Sequence, residues 1–160
     1  IVGKHAVIDK AQDTFISSSF WSERVGFVAA LKTIEILTRD KVSDHLVRMG
    51  TIIGEGWASL AQKHGLKLDV TEFKPLISMV FEYGEQNAAV ATLFIQEMLK
   101  RGYLAATHVY LSKAHNEETI SKYLQAVDEV FEIIASAIKT NSIESKLETK
   151  IKDEGFKRLT

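Results

Sequence analysis

The stretch TFISSSFWSERVGFVAALKTIEIL, Thr14 to Leu37, sets the reading of the whole chain, because a hydroxyl cluster and two aromatics run straight into a long apolar helix. Ser17, Ser18 and Ser19 place three hydroxyls in a row, and Phe20 and Trp21 add rigid apolar bulk. Ser22 followed by Glu23 reads as an N-cap with an acid in the first turn. From Val25 onward, Val28, Ala30, Leu31, Ile34, Ile36 and Leu37 recur at three- and four-residue spacing, which predicts a helix with one wide face buried in a core. Serines ahead of a helix have two readings. One is a turn and a cap. The other is an anion site, since hydroxyls, free backbone N–H groups and the helix dipole all favour negative charge there.

On the N-terminal side, IVGKHAVIDKAQD reads as the end of a strand at Ile1-Val2, a glycine turn and a short helix over Ala6 to Ala11. Gly3-Lys4 lacks the remainder of a phosphate-loop motif. On the C-terminal side, Thr38, Arg39 and Asp40 break the pattern and a second helix is predicted from Val42 to His64, closed by Gly65 as a left-handed cap. Its apolar face is Val42, Leu46, Met49, Ile53, Trp57 and Leu60. Gly50, Gly54 and Gly56 lie inside it at up to about 1 kcal/mol each, which points to close packing against another backbone.

Leu66, Leu68, Val70 and Phe73 alternate with polar residues as a half-buried strand, Pro75 ends it, and a second strand follows over Leu76 to Glu82. Tyr83-Gly84-Glu85 reads as a turn and Asn87 as the cap of a helix that Gly102 closes. Tyr103 to Leu111 is rich in β-formers and should hold one or two short strands. Asn116 with Glu117 and Glu118 starts a last helix whose core face is Ile120, Tyr123, Leu124, Val127, Val130, Phe131 and Ile134. This order of elements predicts an α+β fold in which helices cover one face of a small, mostly antiparallel sheet. The charged tail, 139–160, carries only a sparse stripe of Ile143, Leu147, Ile151 and Phe156, which reads as a solvated or disordered end, or as a strap on another domain or subunit.

At 160 residues, 46% of them hydrophobic and 26% charged, the chain has the composition of one ordinary globular domain. Its formal charge of −1 provides no field to recruit nucleic acid or an anionic membrane. The chain has no cysteine, so disulfides and thiolate metal sites are excluded, and a reducing, cytoplasmic setting is the expectation. No apolar run is long enough to span a bilayer.

With these elements in place, Phe15 to Glu35 resembles the small-domain entry of class III pyridoxal-phosphate aminotransferases. That group includes glutamate-1-semialdehyde aminomutase, and its members carry a pattern close to F-x-S-S-T-F-W-x-E-R-x-G followed by A-A-L-x-T-I-E. The likeness continues between Met98 and Phe131, where M-L-x-R-G-Y-L, L-S-x-A-H-x-E-E-x-I and Y-L-x-A-V-D-E-V-F stand in the family's order, and it covers most of Ile1 to Ile138. It implies that residues 1–22 end a cofactor-binding large-domain segment, that 23–138 form the small C-terminal domain, and that 139–160 are a tail. In the family, the last hydroxyl of the cluster binds the cofactor phosphate of the neighbouring subunit in a homodimer. That position is Ser19, with Ser18 and Phe20 beside it, and serine in place of the usual threonine keeps the hydroxyl. The lysine that bonds pyridoxal phosphate lies, in the family, on a segment running through a glycine-proline turn into an A-I-V-G-K-like strand. The resemblance therefore implies a fragment, with the catalytic lysine just before Ile1, no catalytic residue within these 160, and an amino donor and a carbonyl acceptor as substrates. A non-catalytic oligomerisation or regulatory module of the same architecture is the alternative, and an aminomutase a second one.

Two departures bear on substrate. The chain is shorter between Tyr103 and Ser112 than the aminomutase pattern, and no arginine occurs between Gly102 and Lys157, so a carboxylate anchor comes from upstream or the substrate differs. Other chemistry finds no support. His5, His45, His64, His108 and His115 include no i, i+4 pair and no H-E-x-x-H, so no metal site is expected, and His115 has no better role than orienting the turn before the last helix. G-x-S-x-G is absent, and the adjacent carboxylates Glu117-Glu118 and Asp128-Glu129 point in different directions on a helix.

Overall fold

The computed structural model describes residues 3–15, 19–20 and 23–152, and divides into two compact units, Ile1–Asp40 and Lys41–Thr160. The expected strand at Ile1-Val2, the Ser22 cap, Trp21 and Phe156 lie outside the described residues.

In the first unit a short helix α1 (His5–Ile8) runs into a 3-10 turn (Asp9–Asp13), and α2 spans Arg24–Arg39. Two expectations for α2 are corrected. Glu23, not a residue of the first turn, occupies the N-cap position, and it makes no side-chain capping bond. No α2 residue is buried: Val28 is 60%, Leu31 70% and Ile34 60% exposed. The periodicity is that of a core face, but beside α2 its own unit holds, among the described residues, only helical turns of four and five residues, too short to cover it.

The second unit follows the predicted order. Helix α3 (Val42–His64) ends on Gly65 at φ 67, β1 (Leu68–Val70) and β2 (Leu76–Phe81) pair antiparallel, α4 (Asn87–Lys100) follows, β3 (His108–Tyr110) adds antiparallel to β2, and α5 (Glu117–Lys139) closes the layer. The strand order is β1-β2-β3, with Leu68 opposite Phe81 and Leu76 opposite Tyr110. Ile77, Met79 and Phe81 are buried toward α3 and α4 while Val80 faces out, so helices cover one face of the sheet. Trp57, Phe94 and Phe131 are fully buried in the centre of this core, where Phe81, Phe94 and Phe131 form a triangle of rings 6.1–6.2 Å apart. Burial of this apolar core is the main stabilising term of the unit.

Local chemistry explains most boundaries. Gly102 adopts φ 84 after α4, and Asn116 and Thr119 form a reciprocal capping box at the start of α5. Asn87, expected as a helix cap, is instead the first residue of α4; its side-chain oxygen accepts from the backbone N–H of Tyr83 and so fastens the preceding turn. The tail is likewise ordered over 140–152. Ile143 is buried, Leu147 packs on the core, the N–H of Glu148 donates to Gln96 Oε1 at 2.7 Å, and the N–H of Lys152 donates to Thr92 Oγ1 at 3.0 Å. It is a strap over α4 of its own unit.

The C-terminal end of α3 is clamped to the middle of α5 at Asp128, whose carboxylate receives Lys63 Nζ at 2.7 Å and His64 Nε2 at 2.6 Å. The hydrogen bond from Lys63, and then that from His64, hold the Asp128 carboxyl below the ordinary carboxylate value. A depressed folded-state value contributes stability above the unfolded value and loses it as pH falls through the folded one. Asp128→Asn should therefore melt lower than the unaltered chain near neutral pH, with the difference narrowing below about pH 4. Melting curves from pH 7 to pH 2 check this, and a difference that stays constant with pH would contradict it.

Candidate functional site

The hydroxyl cluster and the second unit each present a place where chemistry can be built. Ser19 and Phe20 lie exposed in a turn, Phe20 at 75%, and the carbonyl of Phe20 accepts the N–H of Glu23 at 3.2 Å just ahead of α2. Ser18 lies outside the described residues. The first-turn N–H groups of Arg24, Val25 and Gly26 have no acceptor within the helix, and among the described residues no side chain caps that end. Arg24 at the first helical position adds a cation that the sequence reading passed over. A serine hydroxyl, helix N-terminal amides and a guanidinium are the donor set that a phosphate monoester takes, with the carboxylate of Glu23 the one opposing charge. The chemistry of these residues fits the phosphate of a bound cofactor.

In the second unit a half-open cleft of about 480 Å³ lies between the 103–106 loop, β3, α3 and the first turns of α5. Ile53, Val109 and Ile120 line it, together with Tyr103, His108, Tyr110, His115, Thr119 and Tyr123. Tyr103 meets Tyr123 edge to face at 5.7 Å, and Tyr123 meets Trp57 in the same way at 6.4 Å. Trp57 Nε1 donates to the Tyr123 oxygen at 3.2 Å, and burial pushes the Tyr123 phenol well above its usual range, so it stays protonated.

At the rim, the backbone N–H of Ser112 donates to His115 Nδ1 at 3.0 Å, which leaves the neutral ring with its proton on Nε2. The carbonyl of His115 in turn accepts His45 Nε2 at 2.9 Å, tying the turn to α3. His115 does orient the turn before α5, as its position implied, and it also faces the cleft. Among the described residues no group of three or more histidines and carboxylates could hold a metal ion. The cleft itself was not legible in the sequence, because the 103–106 loop that closes it carries no periodic signal.

No protein-family model matches the chain. The chain is 26% identical over 136 residues to the aminopentol aminotransferase of Sphingopyxis macrogoltabida, covering 84% of this chain and 32% of that protein. It is 25% identical over 134 residues to the 3-aminobutyryl-CoA aminotransferase of Cloacimonas acidaminovorans (strain Evry), with 81% and 32% covered. The solved pyridoxal-phosphate internal aldimine form of the FumI protein of Sphingopyxis sp. MTA144 superposes with a TM-score of 0.76 at 24% identity, over 87% of this chain and 34% of that one. This last likeness is one of fold, and it agrees with the α+β architecture described above. The chain spans about a third of the length of the curated relatives it matches.

Proposed function

We propose that these 160 residues are the C-terminal part of a pyridoxal-phosphate-dependent class III aminotransferase that works as a cytoplasmic homodimer. The observation that carries the reading is that the chain, with an α+β unit in the order expected of that small domain, superposes on a protein solved in its pyridoxal-phosphate internal aldimine form while the sequence matches proteins named as aminotransferases. The relatives' names favour amino-group exchange between an amino donor and a carbonyl acceptor over an aminomutase. An oligomerisation or regulatory module of the same shape has no comparable support.

In this reading pyridoxal phosphate, when bound, supplies the electron sink through which the amino group moves. The chain's own residues hold and exclude. The Ser19 hydroxyl, with Ser18 and Phe20 beside it, donates to the phosphate of the neighbouring subunit's cofactor, and Arg24 offsets its charge. Trp57, Phe94 and Phe131 keep the second unit rigid, so that the 103–106 loop and β3 stand as one wall of the substrate space.

The lysine that bonds the cofactor is then none of those in these 160 residues and precedes Ile1 in the longer protein. Borohydride reduction in the presence of pyridoxal phosphate, followed by peptide mapping, should label one lysine of the full-length protein outside this chain. Stoichiometric labelling of a single lysine within the 160 residues would contradict the reading.

A further inference from the structure

We propose that the cleft between the 103–106 loop and α5 binds the uncharged body of a ligand, an aliphatic or aromatic chain bearing a ketone or hydroxyl oxygen, and that it discriminates against carboxylates. Three observations carry this. The walls contributed by Ile53, Val109 and Ile120 are apolar, and at about 480 Å³ the space is of the size that holds a small organic molecule. No lysine or arginine lines it among the described residues.

Its polar lining side chains, Tyr103, His108, Tyr110, His115, Thr119 and Tyr123, carry hydroxyl or ring N–H groups and no carboxylate. The Tyr123 oxygen accepts from Trp57, and among the described residues nothing accepts its O–H proton. His115 Nδ1 accepts from Ser112, so its Nε2–H is left as a donor without an acceptor among those residues. Thr119, which also lines the cleft, is spent on the capping box with Asn116. Hydroxyl and ring N–H donors set in an apolar wall satisfy a carbonyl or hydroxyl oxygen, whereas a carboxylate would give up its water with no lysine or arginine in the lining to pair with it. As a substrate subsite the cleft rests on the aminotransferase reading; as a binding site it does not.

The test is an amide-resolved NMR titration of the 160-residue chain, without cofactor, with 2-heptanone and with heptanoate. The ketone should shift the Tyr103, Leu104 and Tyr123 amides and bind at least tenfold more tightly than the carboxylate. Tyr123→Phe should weaken ketone binding about two- to tenfold, the effect of one neutral hydrogen bond. Ala106→Trp, which fills the space with an indole, should abolish the shifts, and it carries the test if loss of the Trp57 partner unfolds Tyr123→Phe. Equal binding of heptanoate, no cleft shifts up to the solubility of the ketone, or shifts that survive Ala106→Trp would overturn the proposal. Because the lysine labelling is done on the full-length protein, the two readings fail independently.

Discussion

Gly50→Ala is expected to lower the stability of the second unit by about 3 kcal/mol or more, at the upper end for an overpacked core. A Cβ on Gly50 would lie 2.0 Å from the carbonyl oxygen of Lys74 and 2.7 Å from its carbonyl carbon. Both are backbone atoms and cannot rotate aside. Lys74 precedes Pro75, which restricts its backbone, and the turn is pinned by Leu76 N–H to Phe73 O at 3.2 Å and by Leu111 N–H to Pro75 O at 3.0 Å. For a unit of this size the loss corresponds to a melting temperature lower by about 10–20 °C.

Gly54→Ala is the control. Its Cβ would meet only side-chain ends, Ile77 Cδ1 at 3.2 Å and Val70 Cγ1 at 3.3 Å, which can yield by tenths of an ångström, and alanine recovers up to about 1 kcal/mol of helix propensity. Thermal melts of both variants decide the matter. A Gly50→Ala protein that melts with the unaltered chain would mean that α3 does not seat against the turn before β2.

These glycines also mark how far a sequence can be read. Three glycines inside a helix signalled close packing against another backbone, and the structure has that at Gly50 alone; Gly54 meets the Ile77 and Val70 side chains and Gly56 the Leu124 side chain. The helices α3 and α5 were legible because their apolar residues fall on one face over more than six turns, long enough for the 3.6-residue period to be unambiguous. Asn116 was legible as a start because a cap residue followed by two acids, Glu117 and Glu118, is a local pattern, while its reciprocal partner Thr119 came only from the structure.

What could not be read depended on distant partners. The apolar face of α2 has the same spacing as a core face, and spacing does not say whether anything covers it. The 140–152 strap is held by backbone N–H groups reaching Gln96 and Thr92, more than fifty residues earlier, and such bonds leave no local pattern. The hydroxyl cluster was legible as a place of interest from residue type alone, while the position of Arg24 at the first turn became visible only once α2 was seen to begin there.

The second large effect belongs to Ser19. A hydrogen bond from a neutral hydroxyl to a charged phosphate contributes about 1.5–3 kcal/mol, so Ser19→Ala in the full-length protein should weaken cofactor binding about ten- to a hundredfold. Ser19→Thr keeps the hydroxyl and should bind within a few-fold of the unaltered protein. Ser19 is exposed in a turn and makes no hydrogen bond among the described residues, so neither change should disturb the apo fold.

Equilibrium titration of pyridoxal phosphate into the apo form of the full-length protein and of its Ser19→Ala and Ser19→Thr variants, with the melting point of each apo protein measured alongside, separates a phosphate contact from a turn residue. A ten- to hundredfold weaker cofactor affinity is expected for alanine only, at an unchanged apo melting point; an alanine variant with unchanged affinity and a lowered apo melting point would make Ser19 a residue of the turn and contradict a phosphate contact.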